Sequence, residues 1–281
     1  MRFFGLNIWQ LMMKIDGLIL SILNIIIHIN NFFRIKQKKL ISSNNVNIGK
    51  KRDIFIVLNG PSIVNQDLTS LKNKSIMFVN RGFQHDEYKR LQPEFHVFAD
   101  AKMLTGEWSI SWIDEIIAMV PTITFIMPAK WAFHEKFKPY IDKGVKIHWM
   151  TNKFNMSSLG VSGFCFEFCI EQNFKTIFFT GFDANGIGHE LVKSSSHFYG
   201  QNKENLQKTT LDYAQDLYMH SRFFISLNQF TKYASKKKVS IVNLTEGGVL
   251  DMFPRMDLSK IIVDTEKKFQ HWKYEGGNFN D

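Results

Sequence analysis

The stretch Ile54-Phe55-Ile56-Val57-Leu58-Asn59-Gly60-Pro61-Ser62 decides the fold class of this 281-residue chain. Five consecutive apolar residues are typical of a strand buried on both faces, as strands are in a parallel sheet. The Asn-Gly-Pro sequence that follows ends the strand, because glycine permits a close backbone approach and proline sets the turn. We therefore expect a buried strand, then a turn or helix start where backbone N–H groups and the Ser62 hydroxyl hold a phosphate.

Similar apolar runs recur along the chain and alternate with stretches of helical periodicity. The predicted strands cover residues 54–58, 75–79, 95–99, 122–127, 146–150, 176–180 and 239–244. The clearest helical stretches are residues 162–171 and 206–232. This alternation predicts an α/β fold, with a Rossmann-like, mostly parallel sheet that carries helices on both faces. We assign a nucleotide- or nucleotide-sugar-binding domain to residues 53–281.

Polar and glycine residues follow several of these strands. Ligands of parallel α/β sheets bind outside the carboxyl ends of the strands, so residues there are candidates for one common site. The candidates are Asn59, Gly60, Pro61, Ser62, Asn80, Asp100, Gly181, Asp183 and Glu246. Ser162 and Gly163 open the helix predicted at 162–171, where N–H groups favour an anion. Each of these residues taken alone is also typical of an ordinary turn or helix cap.

The segment 186–200 is rich in serine and glycine, and we expect it to be a loop that closes over the site as a lid. His197 has a side chain whose pKa is near neutrality, so it is a candidate general base for an acceptor hydroxyl. Tyr199 is a candidate for a hydrogen bond to a phosphate leaving group, and Asp183 is the third candidate catalytic residue. A surface histidine without a catalytic role is the alternative for His197.

The first forty residues form a separate region. Residues 17–33 carry no formal charge, and polar or small residues recur among the first 31 at alternating spacings of three and four. They are Asn7, Gln10, Lys14, Gly17, Ser21, Asn24, His28 and Asn31. This pattern predicts one long amphipathic helix lying in a membrane interface.

The basic run at 34–39 favours anionic lipid and the cytoplasmic side of the membrane. We expect residues 1–40 to be a membrane-associated helix with its basic run, attached through residues 1–39, and residues 41–52 to be a linker. A helix that packs on a partner, as in a homo-oligomer, and a helix that spans the membrane are the alternatives.

Charge and cysteine content narrow the function classes. A formal net charge of +9 favours anionic partners such as nucleotides, acidic membranes or nucleic acid. Nucleic acid is disfavoured, because no zinc-finger or RNA-recognition motif occurs and the positive charge is spread thinly. Cys165 and Cys169 are four residues apart on one predicted helix, which suits two core thiols better than a disulfide. No strand ends in Asp-x-Asp and no zinc-type cluster occurs, so we predict no metal site.

Six segments carry a resemblance to a known family, in order and spacing, over residues 53–258. They are Ile-Val-Leu-Asn-Gly-Pro-Ser (56–62), Phe-Val-Asn-Arg (78–81), Val-Ser-Gly-Phe (161–164), Phe-Lys-Thr-Ile-Phe-Phe-Thr-Gly-Phe-Asp (174–183), Ser-His-Phe-Tyr-Gly (196–200) and Asn-Leu-Thr-Glu-Gly-Gly (243–248). In these segments the chain resembles the bacterial sialyltransferases of glycosyltransferase family 42. It also resembles the wider surface-polysaccharide group related to the archaeal 6-hydroxymethylpterin diphosphokinase domain.

The resemblance implies that residues of the Asn-Gly-Pro-Ser turn and of the Ser-Gly helix start contact the nucleotide-sugar phosphate. These are Asn59, Gly60, Ser62, Ser162 and Gly163, and Asn80 matches the family's asparagine after the second strand. Three positions depart from the family pattern. Asp100 replaces an asparagine, Val161 replaces a threonine, and Gln201 replaces the final histidine of the family's Ser-His-x-x-Gly-His lid, which is its general base. These departures favour a donor other than CMP-sialic acid.

Together these features predict a metal-independent glycosyltransferase with a nucleotide-sugar donor and a glycan or lipid-linked acceptor. We expect it to act in lipopolysaccharide or capsule synthesis, on the cytoplasmic face of a bacterial inner membrane. The pterin-kinase resemblance implies, as an alternative, diphosphate or phosphoryl transfer that depends on Mg²⁺, with Asp100, Asp183 or Glu246 near the metal ion. A non-catalytic member of a polysaccharide assembly is the third candidate.

Overall fold

The computed structural model describes residues 52–150, 160–191, 194–200 and 209–264, together with residues 2–3, 6–7, 11–12, 14–16, 18–19, 22, 25–26 and 29. Several predictions lie outside these residues. They include the basic run at 34–39, the linker at 41–52 apart from Arg52, the family base position Gln201, and residues 265–281 of the predicted domain.

The main sheet contains seven parallel strands, which confirms the predicted α/β fold. The strands are β1 Asp53–Val57, β2 Ile76–Val79, β3 Phe95–Val97, β4 Thr124–Pro128, β5 Ile147–Met150, β6 Thr176–Thr180 and β7 Ser240–Asn243. Their order across the sheet is β5-β4-β3-β2-β1-β6-β7, and every neighbouring pair is parallel. The chain thus builds outward from β1 to β5 and then crosses to the other side of β1. The switch point lies between β1 and β6, where ligands of such sheets bind.

Helices connect the strands on both faces of the sheet. The α-helices are α1 Tyr88–Leu91, α2 Lys102–Thr105, α3 Trp112–Met119, α4 Lys138–Asp142, α5 Gly160–Glu171, α6 Gly186–Leu191, α7 Thr210–Lys236 and α8 Leu258–Asp264. The 3₁₀ helices are Pro61–Asn65, Leu68–Leu71, Asn80–Gln84, Ala129–Phe133 and Glu135–Phe137. A capping box between Thr209 and Asp212 starts α7, because each side chain pairs with the other's backbone N–H.

Each face of the sheet is covered by its own apolar core. Phe55 and Val57 of β1 belong to the core on one face, whereas Ile54 and Ile56 belong to the core on the other, with α5 and α7. This is why β1 is a continuous apolar run rather than an alternating one. Cys165 and Cys169 of α5 are fully buried, and burial raises the pKa of both thiols. The prediction that they are core residues is therefore confirmed.

The N-terminal region begins differently from our expectation. Arg2–Phe3 and Leu6–Asn7 are short antiparallel strands, so Asn7 is not part of a helix as predicted. The described residues between 11 and 29 are helical, and Tyr218 of α7 donates a hydrogen bond of 2.9 Å to Asp16 Oδ2. Eight large apolar side chains of this helix are about half exposed or more: Met12, Ile15, Leu18, Ile19, Ile22, Ile25, Ile26 and Ile29.

Most of the predicted polar stripe of that helix, including Ser21, Asn24 and His28, lies outside the described residues. Within the part of the chain that the structure describes, no helix combines the length and apolar character needed to cross a membrane.

Candidate functional site

The backbones at the ends of β1 and β6 are in direct contact at the switch point. Gly60 N donates to Gly181 O at 2.7 Å, and a Cβ at Gly60 would overlap Asp183 Oδ2. Gly181 has a φ of +68°, and a Cβ there would overlap Leu58 O. A Cβ at Gly248 would lie 2.8 Å from Asp183 O. We call Gly60, Gly181, Asp183 and Gly248 the glycine seam.

Asp183 and Ser62 pair across this seam. The Ser62 hydroxyl donates to Asp183 Oδ2 at 2.9 Å, and Ser62 N approaches the same oxygen at 3.5 Å. Asp183 is 7% exposed, so this hydrogen-bonded pair is nearly shielded from water. We expected the N–H groups of this turn to be free to hold a phosphate. In this structure Gly60 N bonds Gly181 O, and Ser62 N faces Asp183 Oδ2. A carboxylate occupies the position where we expected an anionic ligand, and it repels a second anion.

A second group of polar residues lies beside the seam, at the ends of β1 and β2. Asn59 Nδ2 donates to Val79 O at 3.2 Å, which brings the Asn59 side chain next to Asn80. Both side chains are 8% exposed. Neither Asn59 Oδ1 nor Asn80 Oδ1 has a hydrogen-bond partner among the residues that the structure describes. Burying an acceptor without a hydrogen-bond partner costs about 1–3 kcal/mol of stability. We therefore expect these two oxygens to accept hydrogen bonds from another molecule.

Gly82 leaves space beside one of these oxygens. A Cβ at Gly82 would lie 3.2 Å from Asn59 Oδ1 and 3.0 Å from Phe78 Cδ1. Any side chain at this position would therefore crowd the Asn59 carboxamide. The sequence analysis did not select Gly82, because its importance depends on β1 and β2 being neighbours.

Residues 194–200, the lid segment, cover this second group. Phe198 N donates to Asn59 O at 3.0 Å, and the Phe198 ring lies against His85 with a centroid distance of 5.4 Å. The Tyr199 ring centroid is 5.3 Å from Arg81 Cζ. We call Asn59, Asn80, Arg81 and His85, with the lid residues Phe198 and Tyr199, the lid face.

The predicted lid is not a loop throughout, since residues 186–191 form helix α6. Serine and glycine disfavour a helix in isolation. Here Asn185 O accepts hydrogen bonds from Gly188 N and His189 N, and Ser194 N donates back to His189 O. The Ser194 hydroxyl also lies 2.8 Å from His189 Nδ1. These local bonds close the ends of the short helix, which composition alone could not show.

Arg81 sits in a box of aromatic rings. Its Cζ lies 5.5 Å, 5.4 Å and 5.3 Å from the ring centroids of Trp108, Trp112 and Tyr199. A guanidinium over an aromatic ring contributes about 0.5–2 kcal/mol, depending on its desolvation. The two tryptophans come from the α2–α3 region, so sequence reasoning missed the box. The Phe-Val-Asn-Arg segment, with a cation directly after a strand-end asparagine, was its one sequence signal.

The candidate catalytic residues His197 and Tyr199 form a stacked pair. Their ring centroids are 4.9 Å apart at an interplanar angle of 23°. Since Tyr199 also contacts Arg81, the lid segment carries both residues to the ends of β1 and β2. Both rings are half-buried. Asp183, the third candidate, lies instead in the glycine seam.

His85 is a further titratable residue that the sequence analysis did not select. Partial burial lowers its pKa, and the carboxylates of Asp86 and Glu87 oppose that shift. His85 Nδ1 accepts a hydrogen bond of 3.2 Å from Glu87 N. A neutral His85 therefore carries its proton on Nε2 and acts as a hydrogen-bond donor.

The remaining predicted site residues are less central. Asp100 Oδ1 accepts a bond of 3.0 Å from Lys102 N, as in an ordinary turn. Ser162 and Gly163 are buried in the first turn of α5, which begins at Gly160, two residues before the predicted start. Glu246 is exposed, in a loop whose carbonyl groups bind Arg255, and no described hydrogen bond or ion pair joins it to the other candidates. The described residues contain no group of three or more His, Cys, Asp or Glu side chains that could hold a metal ion.

The fold is that of a known sialyltransferase. The solved structure of the sialyltransferase CstII from Campylobacter jejuni, in complex with the substrate analogue cytidine-5'-monophosphate, superposes on this chain with a TM-score of 0.50. The sequences are 14% identical, and the match covers 80% of this chain and 92% of that protein. No protein-family model and no curated protein sequence matches the chain. The similarity establishes the Rossmann-like architecture, in agreement with the fold predicted from the sequence.

Proposed function

We propose that this protein is a glycosyltransferase that binds a nucleotide-sugar donor at the lid face. The observation that carries the proposal is the pair of buried amide oxygens, Asn59 Oδ1 and Asn80 Oδ1, which have no described partner. Hydroxyl groups of a ribose or sugar and the amine of a nucleobase are donors that would satisfy them. The lid segment over them would exclude water during transfer. The fold similarity to a sialyltransferase solved with a cytidine nucleotide supports this assignment.

In the proposed reaction, the acceptor hydroxyl attacks the anomeric carbon of the donor sugar, and the bond from that carbon to the phosphate oxygen breaks. His197 accepts the proton of the hydroxyl, and the Tyr199 hydroxyl donates a hydrogen bond to the departing phosphate. The stacking of the two rings keeps both groups on the same segment. Asp183 holds Ser62 and so fixes the turn between β1 and its following helix.

The setting that we propose is synthesis of a bacterial lipopolysaccharide or capsule, with a glycan or lipid-linked acceptor. The departures at Asp100, Val161 and Gln201 support a donor sugar other than sialic acid. We also propose that transfer needs no metal ion. Full activity in the presence of EDTA would agree with that, whereas loss of activity that Mg²⁺ restores would favour phosphoryl transfer.

We propose that the N-terminal helix attaches the enzyme to the cytoplasmic face of the inner membrane. The eight exposed apolar side chains between residues 12 and 29 support this, together with the basic run at 34–39. Flotation with vesicles containing phosphatidylglycerol tests the proposal, and Ile22→Glu with Ile26→Glu should abolish binding. A full-length chain that stays in solution as an oligomer and ignores vesicles would support helix packing between copies instead.

The donor site is tested by thermal shift and calorimetry with CMP, UDP, GDP, ADP and ATP and the matching nucleotide sugars, with and without Mg²⁺. A ligand at 100 times its dissociation constant stabilises the fold by about 2.7 kcal/mol, which is readily measured. Stabilisation by one nucleotide sugar without Mg²⁺, followed by sugar transfer, is the expected result. Stabilisation by ATP with Mg²⁺ alone would point to the diphosphokinase alternative.

The matched variants are Asn80→Gly and Asn73→Gly. Both asparagines have positive φ values, +48° and +67°, so glycine relieves the same backbone strain in each. Asn73 is exposed and lies before β2, at the opposite edge of the sheet. Asn80→Gly should weaken nucleotide binding at least tenfold, by about 1.4 kcal/mol or more. Asn73→Gly should leave it unchanged, and equal binding by both variants would refute the site.

A further inference from the structure

A buried histidine lies directly beneath the lid face. His96 belongs to β3 and is fully buried among aromatic rings, with centroids 4.7 Å from Phe98 and 6.3 Å from Phe83. Its two ring nitrogens have one partner each. His96 Nε2 lies 2.9 Å from Asn80 O, and His96 Nδ1 lies 2.9 Å from the Tyr88 hydroxyl.

Only one arrangement of protons satisfies these contacts. Asn80 O is a carbonyl oxygen and can only accept, so His96 Nε2 carries the proton and donates it. His96 Nδ1 is then an acceptor, and the Tyr88 hydroxyl donates to it. Burial lowers the pKa of His96 to about 3 and raises that of Tyr88, which keeps the imidazole neutral and the phenol protonated. Both His96 ring nitrogens therefore have a partner, and the two hydrogen bonds form a chain that runs in one direction, from the Tyr88 hydroxyl through His96 to the Asn80 carbonyl.

The end of this chain is a strained residue. Asn80 has a φ of +48°, a left-handed conformation that costs about 1–2 kcal/mol for most residues other than glycine and less for asparagine. The carbonyl group of Asn80 faces the protein interior and bonds His96, while its side-chain Oδ1 is one of the two buried acceptors without a described partner. An apolar side chain in place of His96 would pack among the same rings, yet it could not hold this carbonyl.

We propose that His96 is a positioning residue of the donor site, which holds the Asn80 backbone in its left-handed conformation and so presents the Asn80 carboxamide to the ligand. This inference rests on the proposed function. It adds that the geometry of the binding asparagine is set from the core, through a hydrogen bond from a neighbouring strand. Tyr88 acts one step further away, since it fixes which His96 nitrogen carries the proton.

The test compares three variants of the full-length chain with the wild type. His96→Leu removes both hydrogen bonds, His96→Gln retains an amide N–H that can reach Asn80 O, and Tyr88→Phe removes only the hydroxyl. Affinity for CMP is measured by calorimetry. The affinity should fall about tenfold in His96→Leu, recover to within about threefold of wild type in His96→Gln, and fall less in Tyr88→Phe than in His96→Leu.

Loss of core packing is controlled by Phe125→Leu. The Phe125 ring is fully buried and lies 6.2 Å from the His96 ring, but it makes no hydrogen bond to Asn80. This variant should be destabilised and still bind CMP like the wild type. Unchanged CMP affinity in a folded His96→Leu protein, or an equal loss in Phe125→Leu, would overturn the positioning role.

A second readout separates this inference from the proposed function. Crystal structures of the wild type and His96→Leu report the φ of Asn80 without any ligand. A positive φ in the wild type and a negative one in the variant would support the positioning role even if the wild type bound none of the nucleotides, in which case the proposed function alone would fail. The same positive φ in both structures would overturn the inference.

Discussion

The glycine seam and the lid face lie side by side at the carboxyl edge of the sheet. The polar groups of the seam bond one another, whereas two buried acceptors of the lid face have no described partner. In the seam, Gly60 N donates to Gly181 O, the Ser62 hydroxyl donates to the Asp183 carboxylate, and no space is left for a Cβ at Gly60 or Gly181. In the lid face, Asn59 Oδ1 and Asn80 Oδ1 are buried without a described partner. The bonds of the seam join the ends of β1 and β6, whereas the unfilled acceptors of the lid face lie where we propose that the donor binds.

This comparison separates two kinds of variant. Changes in the seam should remove folded protein before they affect binding, whereas changes in the lid face should weaken binding while the protein stays folded.

Gly60→Ala and Gly181→Ala should have the largest effects. Their Cβ atoms would overlap Asp183 Oδ2 and Leu58 O, and Gly181 also has a positive φ. We expect each variant to lose about 4–5 kcal/mol of stability, at the upper end for single substitutions. Urea unfolding measures this, with Gly188→Ala in α6 as the control, since nothing lies within 4 Å of its Cβ. A stable Gly60→Ala protein would show that the seam is not closed.

Acid should lower the stability of the protein through His96, which lies beneath the lid face. The folded-state pKa of His96 is about 3, below its usual 6.5, so only the unfolded chain binds this proton between those values. Stability is complete above pH 6.5 and falls as the pH drops towards 3. The loss should reach roughly 3 kcal/mol by pH 4. In urea unfolding at each pH, His96→Gln should show a shallower decline than the wild type, and identical pH slopes would contradict a neutral His96.

The Ser62–Asp183 pair should contribute a smaller amount to the seam. Ser62→Ala and Asp183→Asn should each lower the free energy of unfolding by about 1–2 kcal/mol, because a hydrogen bond to a buried carboxylate is lost or weakened. The double variant should lose clearly less than the sum of the two, since both remove the same bond. Additive losses in a double-mutant cycle would show that the pair does not act as a unit.

Arg81→Met should have the smallest effect on stability and act mainly on the lid. Loss of the contact with Tyr199 makes closure of the lid segment about 0.5–1 kcal/mol less favourable. Chymotrypsin should then cut after Phe198 or Tyr199, in the lid segment, about two- to fivefold faster. Arg81→Lys should be intermediate, because an ammonium group keeps the charge and lacks the planar stacking surface. Equal cleavage rates in all three proteins would separate Arg81 from lid closure.

The strands were the most predictable part of the fold. All seven predicted runs overlap observed strands, and 176–180 matches β6 at both ends. A strand buried on both faces has to be apolar throughout, so a run of consecutive apolar residues indicates where it lies. The helix at 186–191 was missed because its stability comes from bonds to Asn185 and Ser194 rather than from helix-forming residues.

The site was predicted only in outline. Asn59 and Asn80 were selected because they follow strands, and they lie together because those strands are neighbours. Arg81 and His85 were missed, since their environment is formed by Trp108, Trp112 and Phe198 from distant parts of the chain. Gly82 was missed because it lies against Asn59, at the end of the neighbouring strand. The hydrogen bond from Ser62 to Asp183 could not be predicted, because the two residues are 121 positions apart along the chain.

The α/β class, the buried strands and the core thiols follow from local residue order, because each depends on near neighbours in sequence. Only the tertiary structure decided which polar groups bond each other and which stay unfilled. Hydrogen-bond satisfaction depends on atoms within about 3 Å in space, whatever their separation along the chain. For that reason the phosphate-like turn became a closed seam, and the adjoining asparagines became the candidate donor site.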